Sequence, residues 1–70
     1  LRDIKIDTEY ITLQQLLKLE AIVSSGGMVK AFLSEEVVLV NGEPENRRGK
    51  KLYPGDVVDI KKHEVLKIIK

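Results

Sequence analysis

Arg47, Arg48, Lys50 and Lys51 place four cations within five residues, and no other group in this sequence is better suited to chemistry with a ligand. The two guanidinium groups are planar forks that grip phosphate oxygens through paired hydrogen bonds, while the two ammonium groups act as compact point charges. Gly49 lets the backbone between them come close to what they hold. Glu35, Glu36, Glu43 and Glu45 all precede the run and none interrupts it. A chain with a net charge of only +1 therefore still presents one locally positive surface. Lys18 and Lys30 enlarge that surface if the segments carrying them lie beside it.

Bond-making chemistry finds little material. There is one histidine, no cysteine, and no serine in a nucleophile elbow. His63 lies in the charged turn Lys61-Lys62-His63-Glu64 and is expected to be solvated, because a general base needs a cleft and an orienting partner. Glu35 and Glu36 are adjacent and would point apart on a helix, so a solvated helix end is expected rather than a catalytic carboxylate pair. A lone histidine with scattered carboxylates offers no compact metal-ligand set. Gly26-Gly27 could receive an anion at the start of a helix, but with no Walker lysine or dinucleotide fingerprint the pair reads as a plain turn. The expectation is a non-enzyme with no cofactor and no small-molecule substrate.

The elements that must position the basic run are legible from period and turn chemistry. Asp3-Ile4-Lys5-Ile6-Asp7 alternates with period two, which predicts an edge strand with Ile4 and Ile6 on one face. Thr12-Leu13-Gln14-Gln15 has the spacing of a capping box, so a helix should start near Leu13. Leu13, Leu16, Leu17 and Ala21 form its inner stripe, widened by Leu19, Ile22 and Val23, with Lys18 and Glu20 outward. Ser24-Ser25-Gly26-Gly27 should turn the chain into a second helix, roughly Gly27 to Glu35, with Val29, Phe32 and Leu33 inward and Lys30 and Ser34 outward. Neither helix is long enough to survive alone, so the two must pack on each other and on a sheet.

Val37-Val38-Leu39-Val40-Asn41-Gly42 is a strand running into a hairpin turn, since Asn-Gly tolerates the positive φ that a two-residue turn requires. Pro54-Gly55-Asp56 marks a second turn. Leu52 is a candidate core residue and Tyr53 a partly buried one. Val57-Val58-Asp59-Ile60 predicts a strand with Val58 and Ile60 on one face, and Val65–Ile69 a last strand, with a short helix as the alternative.

The bulk composition is consistent with one folded domain. With 70 residues, 43% hydrophobic and 33% charged, the chain has enough apolar side chain for a single core and no room for a second site-bearing domain. The lack of cysteine excludes disulfide and cysteine-zinc frameworks and fits a reducing cytoplasm, the expected location. No run approaches the roughly 18 apolar residues of a membrane span. With only two tyrosines and one phenylalanine, few exposed aromatics are expected, which favours recognition of backbone shape over base stacking.

The order helix, turn, helix, Val38-Leu39-Val40-Asn41-Gly42, basic loop, Pro54-Gly55-Asp56 resembles the S4 (S-four) RNA-binding domain, named for a small-subunit ribosomal protein. Leu33, Val38, Val40, Asn41, Gly42, Gly55 and Asp56 match its pattern over a motif core of residues 12–60 within a single domain of residues 1–70. Ser25-Gly26-Gly27, Leu39-Val40-Asn41-Gly42-Glu43, Arg47-Arg48-Gly49 and Pro54-Gly55-Asp56-Val57-Val58 resemble the small stand-alone bacterial members of the YaaA and YbcJ type. The resemblance implies an α+β fold, two short packed helices on a small bent, mostly antiparallel sheet (the alpha-L RNA-binding motif). It also implies binding of structured RNA, ribosomal or transfer RNA, with the ribosome as a possible partner, through Lys18, Lys30, Asn41, Arg47, Arg48, Lys50 and Lys51. Two positions depart from the wider family: Gly26 stands where an arginine is common, and Glu36 where a glycine is usual, which would add strain of about 1 kcal/mol if the site kept positive φ.

Two rival readings share parts of this pattern. A β-grasp carrier has similar Val-Asn-Gly-Glu and Gly-Asp-Val-Val strands, but needs a Gly-Gly end where this sequence reads Ile68-Ile69-Lys70. A protein-binding adaptor would dock a partner on the acidic hairpin.

Overall fold

The computed structural model describes residues 1–70. Seven strands and two helices follow in the order β1 (Arg2–Lys5), β2 (Ile11–Thr12), α1 (Leu13–Leu19), α2 (Gly26–Glu35), β3 (Val38–Val40), β4 (Glu43–Pro44), β5 (Lys51–Leu52), β6 (Val57–Ile60) and β7 (Glu64–Ile69). Five strands form one sheet in the order β1-β7-β6-β3-β4, antiparallel except for the parallel pair β1 and β7, while β2 and β5 form a separate antiparallel ribbon. The fold is α+β with a mixed, mostly antiparallel sheet.

Alternation along the strands builds one apolar face. Val38 faces Ile60, Val40 faces Val58, Val58 faces Leu66 and Ile4 faces Ile68, and every one of these side chains is buried. Leu13, Leu16 and Leu17 from α1 and Val29 and Leu33 from α2 complete the same core with Leu52, Val23 and Ile6. No charged or polar side chain is buried among them. The edge strand, the hairpin and the last two strands thus stand where the sequence places them, and the final segment is strand, not helix.

The turn chemistry also holds. Asn41 and Gly42 both have positive φ, 52° and 85°, as a two-residue turn between β3 and β4 demands. Gly55 has φ 101° in a turn closed by the Asp56 N–H donating to the Tyr53 carbonyl.

Two expectations need correction. The first helix ends at Leu19, so Leu19 (60% exposed) and Ala21 leave the inner stripe and residues 20–25, rather than a four-residue turn, join the helices. Ala21 takes the left-handed conformation (φ 58°), its N–H donating to the Lys18 carbonyl and that of Ile22 to the Leu17 carbonyl. These are the two hydrogen bonds of a Schellman stop, with alanine where glycine is usual. Glu20, expected outward, is 10% exposed and ion-paired with Arg2, which also holds Glu64 on β7. Glu36 has φ −111°, ordinary extended backbone, so no strain arises from its replacing glycine.

Candidate nucleic-acid interface

The start of α1 fixes the basic loop. A helix leaves its first N–H groups without intrahelical partners. Here the Gln15 N–H donates to Thr12 Oγ1 (3.2 Å) and the Thr12 N–H to Gln15 Oε1 (2.8 Å), which is the expected capping box. The next donors find the loop: the Leu13 N–H reaches the Lys50 carbonyl and the Gln14 N–H the Arg48 carbonyl, each at 2.9 Å. The loop is therefore strapped across the helix end by its own backbone, leaving its side chains free to turn outward. Its base is tied by β5, which pairs with β2 immediately before α1.

Residues of this loop line two depressions. Arg48 lines the first with Lys30, Leu33 and Ser34 of α2 and with Asn46. Arg47, Gly49, Lys50 and Lys51 line the second with Tyr53. The loop and the second helix thus share a surface, as the positive face requires. Arg48, Lys50, Lys51, Lys30 and Lys18 form no ion pair with the chain's own acids. Lys18 is exposed but sits one turn beyond Gln14, about 6 Å along α1 from the strapped end. It lines neither depression.

Arg47 differs from its neighbours. Its guanidinium holds Glu45 through two hydrogen bonds of 2.9 and 3.1 Å, and its backbone N–H donates to the same carboxylate. That guanidinium keeps the Glu45 carboxyl well below its usual range, at about pKa 2, and Glu45 in turn raises Arg47. One of the four loop cations is thereby neutralised, while Glu45 itself, 11% exposed, acts as a clasp that shapes the loop.

Asn41 is likewise committed within the chain. Its amide donates to Asp56 Oδ1 (3.0 Å), its carbonyl accepts from the Val57 N–H (2.9 Å), and the other Asp56 oxygen accepts from the Tyr53 N–H (2.8 Å). The asparagine of one turn and the aspartate of the other form a single bracket between β3 and β6. That bracket holds the two turns that frame the loop.

Several residues of this surface escaped the sequence reading. Gln14 rests its amide 3.5 Å from where a side chain on Gly26 would begin, and Ser34 and Asn46 line the first depression. Spacing puts Ser34 outward with Lys30, but nothing in the sequence marks Gln14 or Asn46, which only the fold brings to this surface. Exposed aromatics are few but adjacent: Tyr10 is 37% and Tyr53 42% exposed, and their ring centroids are 5.8 Å apart. The register explains it, because Ile11 pairs with Leu52 and the next pair outward on the ribbon is Tyr10 with Tyr53. His63 is exposed in its turn, with its ring 5.7 Å from Phe32. No three His, Asp or Glu residues come together as a metal site, and no helix is long and apolar enough to cross a membrane.

A cation-bearing loop strapped to a helix pair beside a small mixed sheet defines the class, and the comparison with known families agrees: residues 4–69 match the S4 domain, and the chain belongs to that family. It is also 68% identical over 57 residues, covering 81% of this chain and 80% of the relative, to the probable ribosome maturation protein RlbA of Bacillus subtilis (strain 168).

Proposed function

We propose that this chain is a non-catalytic RNA-binding module that holds structured RNA, ribosomal or transfer RNA, in a ribosome-related role. Arg48, Lys50, Lys51 and Lys30 carry the phosphate contacts, Lys18 extends the face along α1, and Asn41 serves by fixing the loop's frame. The observation that carries this reading is the shared depression of Arg48 and Lys30, flanked by Lys50 and Lys51 without acidic partners. Membership in the S4 family and likeness to a protein named for ribosome maturation support it. The cytoplasm is the location that such a partner implies.

Phosphate contacts release counterions, so affinity for structured RNA should fall with salt with a log-log slope of about −3 for roughly four phosphates. Titration with purified ribosomal RNA and with transfer RNA over a range of monovalent salt measures it. Changing Lys50 and Lys51 together to alanine should flatten the slope by about 1.5, half of its value. Binding that survives this change with its salt dependence intact would move the site off the loop.

A further inference from the structure

The second depression adds a feature that charge alone does not explain. On the β2–β5 ribbon, Ile11 and Leu52 face inward, Leu52 fully buried, so alternation sends Tyr10, Thr12, Lys51 and Tyr53 to the opposite face. Thr12 pairs with Lys51, and Tyr10 and Tyr53 extend that register outward, their rings tilted at 50°. Lys51 Nζ lies 5.0 Å from the centre of the Tyr10 ring. Tyr53 lines the depression together with Lys50, Lys51 and Arg47. Of the three aromatic side chains in the sequence, the two most exposed are therefore in contact with each other and border the cationic loop.

Exposed aromatic rings beside cations have a recognised ligand chemistry. A base presents a π-face to the ring while the flanking phosphates meet the ammonium groups, and this stacking is independent of which base it is. A fully paired stem hides its base faces inside the helix, so only an unpaired nucleotide at a junction, bulge or end can use such a platform. We infer that the Tyr10–Tyr53 pair receives an unpaired base of the bound RNA, with Lys50 and Lys51 holding the phosphates on either side of it. This rests on the RNA-binding reading and adds to it: Arg48 and Lys30 grip the folded body of the RNA, and the tyrosine platform selects RNA with an unstacked nucleotide beside that body.

The test compares a blunt RNA hairpin with the same hairpin carrying a short single-stranded extension that contains a fluorescent adenine analogue. The wild-type chain should bind the extended hairpin about tenfold more tightly, and the analogue's fluorescence should be quenched on binding. Tyr53→Leu should abolish both the preference and the quenching. Tyr53→Phe should retain both, which separates ring stacking from apolar volume; thermal melts of the two variants confirm that each is folded. Equal affinity of the wild type for both RNAs, with salt-dependent binding to the blunt hairpin intact, overturns the platform and leaves the RNA reading standing. Failure to bind either RNA in a salt-dependent way overturns both.

Discussion

Glu45 shows how one residue sets the charge of the surface. From composition it is one acid of a hairpin; in the fold its carboxylate takes up the first cation of the loop through a bidentate clasp. Glu45→Gln keeps an oxygen for the Arg47 N–H but removes the negative charge, so Arg47 becomes available to a phosphate. The salt slope for RNA binding should steepen by about 0.75 and affinity at low salt should rise several-fold, checked by the same titrations. A loss of affinity would mean that the clasp orients the loop for binding rather than restraining it. Proton linkage gives a second handle. The folded pKa lies at about 2 and the ordinary value at 4.5, so the clasp's contribution to stability is complete above about pH 4.5 and disappears as pH falls toward 2. In an NMR titration the Glu45 carboxyl should stay ionised until the pH approaches 2, and Glu45→Gln should be less sensitive to acid in that window than wild type. Asn41 teaches a related lesson. The resemblance places it among the RNA contacts, and the fold adds a bond to Asp56 on a distant turn that no local pattern shows.

At the scale of elements, legibility tracked how local the signal was. The capping box at Thr12, the Asn41-Gly42 turn and the alternation of β6 each lie within a few residues, and each appears as read. The end of α1 does not, because the apolar pattern runs on through Ile22 and Val23 and the stop signal is hidden in an alanine. Ile22 and Val23 do reach the core, but from the far side of a chain reversal. Left-handed backbone costs a non-glycine residue about 1 kcal/mol, a cost that Ala21 carries while exposed and with no packing to compensate. Ala21→Gly should therefore stabilise the domain by about 0.5–1 kcal/mol despite glycine's greater freedom when unfolded, raising Tm by several degrees. Thermal or urea unfolding checks the sign, and destabilisation would show that the unfolded-state entropy of glycine outweighs the relief of strain. The Tyr10–Tyr53 contact was invisible for the opposite reason. It depends on the pairing of two-residue strands separated by α1, α2 and a hairpin, and no local pattern encodes that register.

At the scale of the whole molecule, the parallel pairing of β1 with β7 makes the motif core of residues 12–60 less than a folding unit. β7 is no appendage: it lies between β1 and β6, and Leu66 and Ile68 are completely buried. Ile4 and Ile6 close the core from the other side, and Arg2 ties the beginning of the chain to Glu20 after α1 and to Glu64 on β7. Removing residues 1–11 and 61–70 takes four of the 15 core side chains with it. At about 1.5–3 kcal/mol for each buried apolar side chain, the loss is about 6–12 kcal/mol, whereas a core of this size leaves only about 3–5 kcal/mol of net stability. The 12–60 fragment should therefore show no cooperative thermal transition by circular dichroism and no salt-dependent RNA binding, although it retains every loop cation. That pairing of outcomes distinguishes a charged peptide from a presented surface: a fragment that stayed unfolded yet bound RNA with the full chain's salt slope would show that the cations act without the frame. Lys67 supplies the internal control in the intact chain. It lies on β7 beside the inward-facing Leu66 and Ile68, so alternation puts it on the sheet face away from the helices and the strapped loop. Lys67→Ala should leave the salt slope unchanged where Lys30→Ala lowers it by about 0.75, because what the RNA reads is the side on which the fold collects its charge.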